Sequence, residues 1–424
     1  MLGLFRLVAK GHSRTLAYAM STALVTVTRP AKEQQNGPRP AHHRNDTKSL
    51  FQNPWPSFVD VPPAVMAGFL WKSIFSLPKP PKDIEALLKW QKPTWGSEAN
   101  KNELKATWLG HACFLVELPT PKGASRGARI LFDPVLSHRC SPFSFMGPAR
   151  YTRPPISLEE LGNLTHVDAV VISHDHYDHM DVQSLAILKE KHNPHFFAPL
   201  NNDDRFVGVD IAPTHFHCLD WWEDREVSVQ LPPSPQLKQE GAAGEATEGP
   251  TVHFRLTCTP SQHQSARTPF DRFHTLWGSW ALEELHVTSP SSPPTVGYKV
   301  WFAGDTGYRH VAQGQDEDTV PYCPAFKEIG EKFGGFDLGL IPIGAYDPRQ
   351  AMSSWHASPN DAVRIFQDVR AKKAIAMHWG TWTLTIEPVL EPPRLLAAAV
   401  EKAGLASDAF DTCGLGETVI IPRS

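Results

Sequence analysis

The chain has 424 residues, enough for one or two domains around a large buried core. Its 41 basic residues are nearly balanced by 45 acidic ones, which argues against a dedicated nucleic-acid binder, whose binding face needs a basic excess. The six cysteines (Cys113, Cys140, Cys218, Cys258, Cys323 and Cys413) are scattered without a C-x-x-C pair, and read as reduced thiols rather than a disulfide framework.

Up to Arg29 the chain carries Arg6, Lys10, Arg14 and Arg29 with no acidic residue and frequent Ser and Thr. That is the composition of a mitochondrial presequence, so residues 1–30 are expected to direct import. The competing readings are a secretory signal and a flexible tail with no targeting role. Residues 30–50 are polar and contain Pro, so 1–50 reads as one presequence-like, disordered segment. Residues 51–102 form an N-terminal extension. Within it Val65, Phe69, Leu70, Trp71, Ile74 and Phe75, flanked by Pro62-Pro63 and Pro78, can share one side of a helix. Such a stripe packs on a core or lies on lipid. No segment reads as a transmembrane helix, so membrane contact is expected to be peripheral and the protein intracellular and membrane-associated.

From residue 103 to 424 strand and helix patterns alternate, and this stretch is expected to be the catalytic domain. Residues 104–231 would form one half and 251–424 the other. Disordered inserts are expected near 232–250, 288–294 and 309–320. A helix should start at Ser358, a capping residue followed by Pro359, with Ala362, Ile365, Phe366 and Val369 on one face. Thirteen tryptophans are many for this length, and some are expected to face lipid.

The densest chemistry follows the apolar run 167–172. Ser173-His174-Asp175-His176-Tyr177-Asp178-His179 puts three imidazoles and two aspartates at a strand end, in the pattern H-x-H-x-D-H. Buried imidazoles and carboxylates need a compensating charge, and a divalent metal supplies it. His174 and His176 alternate and can share one metal, leaving Asp178 and His179 to reach a second. Three more candidates close apolar runs: His263 after Leu256–Thr259, Asp305 after Val300–Ala303, and His378 after Ala374–Met377.

Together these residues resemble the metallo-β-lactamase superfamily, whose fold is an α/β, αββα sandwich of two mixed β-sheets flanked by helices. The blocks Thr107–Ala112, Phe132-Asp133-Pro134, Asp220–Glu223, Leu276–Trp280, Phe302–Tyr308, Ile341–Tyr346 and His378–Thr381 are similar to one branch. So is Phe51-Gln52-Asn53-Pro54-Trp55-Pro56. That branch is the phospholipase D family acting on N-acylphosphatidylethanolamine. The resemblance implies two Zn2+ per chain: His174, His176 and His263 on the first, Asp178, His179 and His378 on the second, and Asp305 bridging. It implies that a metal-bridging hydroxide attacks phosphorus, releasing N-acylethanolamine and leaving phosphatidic acid. The His/Asp set by itself also admits iron or manganese.

Asp178, Asp305 and His356 are the expected catalytic residues, His356 through its match to a histidine near the substrate entrance. Asp133 is a candidate acceptor for a ligand imidazole, and His111 a neighbour of the site or a structural histidine. Arg267, Tyr346 and Arg349 are candidate phosphate contacts or packing groups. Ser144, Phe145 and Gln264 depart from the family pattern in the stretches that would face substrate. The partners implied are a phospholipid substrate and a homodimer, with no nucleic acid. The alternatives are a lactonase or nuclease-type phosphodiesterase on the same scaffold, or a metal-binding protein without turnover.

Overall fold

Runs such as Ala169–Val171 and Ala374–Met377 are apolar without alternation, and each is a strand buried along its whole length. Parallel strands covered on both faces read this way. The protein was analysed as a computed structural model that describes residues 24–30, 39–163, 166–235, 248–289 and 291–423. Among these residues the strands are β1 (Leu24–Thr28), β2 (Leu104–Gly110), β3 (Cys113–Glu117), β4 (Arg129–Phe132), β5 (Ala169–Val171), β6 (His195–Pro199), β7 (Phe216–Leu219) and β8 (Asp224–Gln230). They continue with β9 (Thr251–Thr259), β10 (Ser279–His286), β11 (Thr295–Phe302), β12 (Leu338–Pro342), β13 (Ala374–Met377), β14 (Phe410–Asp411) and β15 (Thr418–Ile421).

They build two mixed sheets, in the orders β15-β2-β3-β4-β5-β6-β7 and β1-β8-β9-β10-β11-β12-β13-β14. Phe114, Phe132 and Trp108 of the first sheet share one core with Phe254, Trp280, Trp301 and Phe302 of the second. A separate cluster joins Leu115, Val170 and Phe196 to Leu161, Leu185 and Leu188, from helices Leu158–Asn163 and Val182–Lys191. Helices Ala325–Phe333, Pro359–Asp368 and Glu391–Lys402 add Phe326, Ile365, Phe366 and Leu396 to the main core. The fold is therefore the αββα sandwich. Ser358 caps its helix, accepting from Asp361 N–H while the Asp361 side chain answers at the Ser358 backbone.

Several expectations are corrected. Most of the presequence-like stretch lies outside the described residues, but Leu24–Thr28 pairs antiparallel with β8 as an edge strand. Residues 39–50 are not disordered. They lie along the surface with His42 and His43 buried beneath them, and the backbone is tied down where Gln52 N–H donates to His42 O and Phe51 N–H to Phe273 O. The acidic stretch 309–320 is also ordered, tied down by the buried Arg309, which pairs with Glu317, Asp318 and Asp361. Residues 288–289 and 291–294 lie between β10 and β11, with the Ser289 and Ser291 hydroxyls bonded to each other. Most of the insert 232–250 lies outside the described residues.

The apolar stripe on helix Pro63–Ser76 divides. Val65, Met66 and Phe69 pack on Ala351, Met352 and Trp355, while Leu70 and Trp71 face solvent. Ile74 and Phe75 side chains lie outside the description. Tryptophan serves the core: of the thirteen, Trp71 alone is exposed, at 67%.

The strand that feeds the histidine motif is anchored at its start. Asp168, fully buried, accepts from Arg126 Nη1 and Nη2 at 2.6 and 2.8 Å and from Arg129 N–H at 2.8 Å. Arg126→Met would strand that carboxylate and should cost roughly 3–5 kcal/mol of unfolding free energy. Equilibrium urea unfolding reads the loss directly, and a cost below about 1 kcal/mol would contradict the anchoring role.

Candidate metal centre

Strand ends from both sheets converge on one edge of the sandwich. The first sheet brings His111 from the β2–β3 turn, Asp133 from the end of β4 and residues 173–179 from the end of β5. The second brings His263 beyond β9, Asp305 beyond β11 and His378 beyond β13. Three buried indoles fix these ends. Trp280 Nε1 donates to Ile172 O, Trp277 Nε1 to Ser261 O and Trp108 Nε1 to His111 O, each at 2.9 Å. The backbone bends sharply to aim the side chains inward: φ is 52° at His111, 38° at Asp133 and 63° at His378. Non-glycine residues hold such values only where surrounding structure enforces them, at roughly 1–3 kcal/mol each. Gly304 also has positive φ, and a Cβ there would lie 2.5 Å from Ser173 Cβ, so the Asp305 and His174 loops touch through a missing side chain.

The ligand-type atoms form two groups that meet at Asp305. In one, His174 Nε2 lies 2.8 Å from His176 Nδ1, His263 Nε2 lies 3.3 Å from the same atom, and Asp305 Oδ2 is 3.8 Å from His263 Nε2. In the other, Asp178 Oδ2 is 3.0 Å from His111 Nε2, 3.5 Å from His378 Nε2 and 3.6 Å from His179 Nε2. Asp305 spans them, with Oδ1 3.0 Å from His378 Nε2 and Oδ2 3.2 Å from His179 Nε2. His356 Nδ1 stands 3.8 Å from Asp305 Oδ2.

Outer contacts set which nitrogen each imidazole offers. Asp133 takes the Ser173 N–H at 2.7 Å and the Ser173 hydroxyl at 2.6 Å, and faces His179 Nδ1 at 2.6 Å. Ser173 Oγ in turn faces His174 Nδ1 at 2.9 Å, and His263 Nδ1 donates to Trp355 O at 2.9 Å. His174, His179 and His263 are thus left with Nε2 turned inward. Three imidazole nitrogens meet around His176 Nδ1, and only a proton or a cation can hold them together. His179 Nε2, His378 Nε2, Asp305 Oδ1 and His356 Nδ1 are buried with no hydrogen-bond partner, so the residues fit a metal.

The charges agree. Burial alone would raise the Asp178 and Asp305 carboxyls, yet the imidazoles around them, His179 foremost, hold both well below the usual carboxylate range. Burial likewise opposes charge on His378, but Asp305 and Asp178 lift it to about 9, and the same carboxylates raise His179. Burial and neighbouring histidines lower His174 and His263, and burial and His378 push His111 to about 3. Without metal the two carboxylates draw protons onto His179 and His378. A cation supplies the same charge.

Some expected residues lie elsewhere. Arg267 Nη1 donates to Asp175 O and Met180 O and its guanidinium lies over the Tyr177 ring, so it braces the histidine loop and is not turned to phosphate. The Tyr346 hydroxyl donates to Glu391 at 2.7 Å, as a packing group would. Arg349 pairs with Glu317 and Asp361. Cys258 is a buried thiol beside Gly278.

The residue that sequence reasoning missed is Asn53. Its side chain donates to His263 O at 2.7 Å and accepts from His263 N–H at 3.2 Å, closing a two-bond brace on that backbone. Ser57 Oγ donates to the neighbouring Gln262 at 2.6 Å, and Gln262 Nε2 reaches Ser354 O. The only signal was the block Phe51–Pro56, which carries no metal-ligand type.

Residues 128–379, more than half of the chain, match the family described as "Beta-lactamase superfamily domain". The chain belongs to the metallo-β-lactamase superfamily. Its likeness to N-acyl-phosphatidylethanolamine-hydrolyzing phospholipase D 1 of Caenorhabditis elegans is 34% identity over 352 residues, 81% of this chain and 83% of that protein. An uncharacterized protein of Mycobacterium tuberculosis is 35% identical over 302 residues, 70% of this chain and 64% of that protein. The mitochondrial N-acyl-phosphatidylethanolamine-hydrolyzing phospholipase D of Saccharomyces cerevisiae is 27% identical over 380 residues, 87% of this chain and 65% of that protein. Among solved structures, a metallo hydrolase of Ignicoccus hospitalis superposes with a TM-score of 0.45 at 18% identity, covering 76% of this chain and 99% of that one. Membership places the chain among metal-dependent hydrolases. Among the described residues no helix is long and apolar enough to cross a membrane.

Asn53→Ala removes both bonds to the His263 backbone and should lower metal affinity and turnover roughly 10–100-fold, the usual effect of losing an outer partner of a ligand. Equilibrium dialysis against zinc measures this, and unchanged affinity would contradict the bracing role. Gly304→Ala should weaken metal binding in the same assay, because its Cβ pushes the Asp305 and His174 loops apart.

Proposed function

We propose that this protein is a dinuclear zinc phosphodiesterase of phospholipase D type that hydrolyses N-acylphosphatidylethanolamine to N-acylethanolamine and phosphatidic acid. The observation that carries the proposal is the pair of His/Asp groups that share Asp305 at the sandwich edge. Its substrate class follows the C. elegans and yeast relatives, at 34% and 27% identity, whereas the mycobacterial relative, at 35%, is named only as uncharacterized.

In this reading His174, His176 and His263 would hold one zinc and Asp178, His179 and His378 the other, with Asp305 placed between the two groups. Bound zinc supplies Lewis-acid stabilisation of the phosphodiester and lowers the pKa of water. The chain's own groups do the rest. His111, 3.0 Å from Asp178 Oδ2, orients that carboxylate, and Asp133 and Ser173 fix the His179 and His174 rings. Asp178 and Asp305 would orient the attacking water as hydrogen-bond acceptors, and its proton passes to the leaving oxygen. His356, beside Asp305, reaches the phosphate at the mouth. The P–O bond to the N-acylethanolamine oxygen breaks, that oxygen takes a proton, and phosphatidic acid retains the incoming oxygen.

A lipid substrate suits the surroundings of the histidine loop. A cavity of about 340 Å³ beside it has a mixed lining, with Phe143, Tyr177 and Met180 set among polar groups such as Arg139, Asp181 and Arg267. Phe143, Phe145 and Met146 stand exposed on the same rim. Peripheral membrane contact through this rim and Leu70-Trp71, a homodimer, and mitochondrial delivery by residues 1–30 belong to the same proposal. So does the division into 1–50, the extension 51–102 and a catalytic domain 103–424.

The test is metal content with turnover on the full chain. N-acylphosphatidylethanolamine and plain phosphatidylethanolamine are offered in detergent, beside Asp305→Asn. The expected result is N-acylethanolamine release that vanishes with chelator and falls in Asp305→Asn by more than the roughly 100-fold typical of an outer partner. Bound metal with neither lipid cleaved would discard the substrate and turn the search to lactones and nucleic-acid phosphodiesters.

A further inference from the structure

A third convergence of ligand groups lies far along the chain from the first two. His42 and His43 are adjacent, and in an extended strand their rings would point to opposite sides. Here a turn, closed by His43 N–H donating to Pro40 O at 3.0 Å, brings both rings to one carboxylate. His42 Nε2 lies 2.7 Å from Asp220 Oδ1 and His43 Nε2 lies 2.9 Å from Asp220 Oδ2. All three side chains are buried, at 7%, 2% and 7% exposure. Aromatic rings enclose them: Trp221 stacks on His42 at 4.2 Å, Trp55 stacks on Trp221 at 5.5 Å, and Phe51 meets His43 edge-on at 5.5 Å.

This is more than an aspartate paired with one histidine. Asp220 Oδ1 already accepts the Trp221 N–H at 2.9 Å, besides facing His42. His43 Nε2, 2.9 Å from Oδ2, falls outside hydrogen-bond geometry there and has no other hydrogen-bond partner. A buried imidazole nitrogen aimed at a carboxylate without bonding to it is a costly arrangement unless something sits between them. The positive charge nearby is Lys48, whose ammonium stands 3.8 Å from Asp220 Oδ2 on a half-exposed side chain.

We infer that His42, His43 and Asp220 form a third divalent-cation site, of the zinc class, that fastens the N-terminal strap to the end of β7. Two imidazoles and a carboxylate are a tridentate zinc set, with water completing the tetrahedron. Lys48 is its placeholder, offsetting the Asp220 charge when the cation is absent. Binding here is folding energy for residues 39–60, since no such site exists in the detached strap. Asn53 lies on that strap, so the cation also steadies His263 from a distance. The inference stands apart from the lipid reading and does not need it.

The full chain is stripped with chelator, dialysed against zinc and its metal counted, as the parent, as His43→Gln and as Lys48→Ala. A fourth variant, His174→Ala/Asp178→Ala/Asp305→Ala, removes a ligand from each half of the other centre together with the carboxylate between them. The expected results are one zinc fewer in His43→Gln than in the parent and one zinc retained in the triple variant. Zinc should raise the melting temperature of the triple variant by roughly 2–4 °C. Lys48→Ala, a surface change that keeps the test alive should His43→Gln not fold, is placed in the triple variant and should reach the same rise at lower zinc concentration. A triple variant without zinc or thermal response, or a Lys48→Ala protein that is merely less stable and indifferent to zinc, overturns the site. Loss of every metal except this one would overturn the dinuclear reading and leave this inference standing.

Discussion

Everything at the edge of the sandwich answers one electrostatic constraint: Asp178 and Asp305 are buried within about a Coulomb-strong distance of each other's imidazoles and cannot remain charged there without positive partners. In the metal-free protein His179 and His378 provide that charge as protons. The geometry is arranged so that cations can provide it instead, because the inward nitrogens are those that Asp133, Ser173 and Trp355 leave unbonded.

Holding such a cluster requires strand ends that cannot drift. Each sheet contributes a share, and the two are tied across the interface by Gly278 N–H donating to Ser173 O and by Trp280 reaching Ile172 O. Left-handed backbone at His111, Asp133 and His378 concentrates strain where the side chains are aimed. The N-terminal strap closes the arrangement from outside, with Asn53 on His263 and Arg272 bridging Gln264 to Asp60. The extension before the sandwich is therefore part of the site's rigidity.

Much of the centre was legible because its signals are local. H-x-H-x-D-H at the end of an apolar run needs no tertiary information, and His263, Asp305 and His378 stand where apolar runs break. Residues whose roles depend on partners far away in sequence were not legible. Asn53 acts on a backbone 210 positions on, and nothing in its own neighbourhood says so. Arg267 and Tyr346 carry groups suited to phosphate, but Asp175 O, Met180 O and Glu391 claim them first. The segment 39–50 looked disordered by composition, since a polar stretch gives no hint that a buried Asp220 awaits its histidines. Tryptophan number suggested lipid, whereas Trp108, Trp277 and Trp280 are spent on carbonyls beside the ligand loops.

The most direct test of the account is anomalous scattering at the zinc edge from crystals of the zinc-loaded protein. The account predicts two peaks about 3.5–4 Å apart, one among His174, His176 and His263 and one among Asp178, His179 and His378, with Asp305 touching both. A single peak in the cluster, or none there while zinc is bound elsewhere, would contradict it.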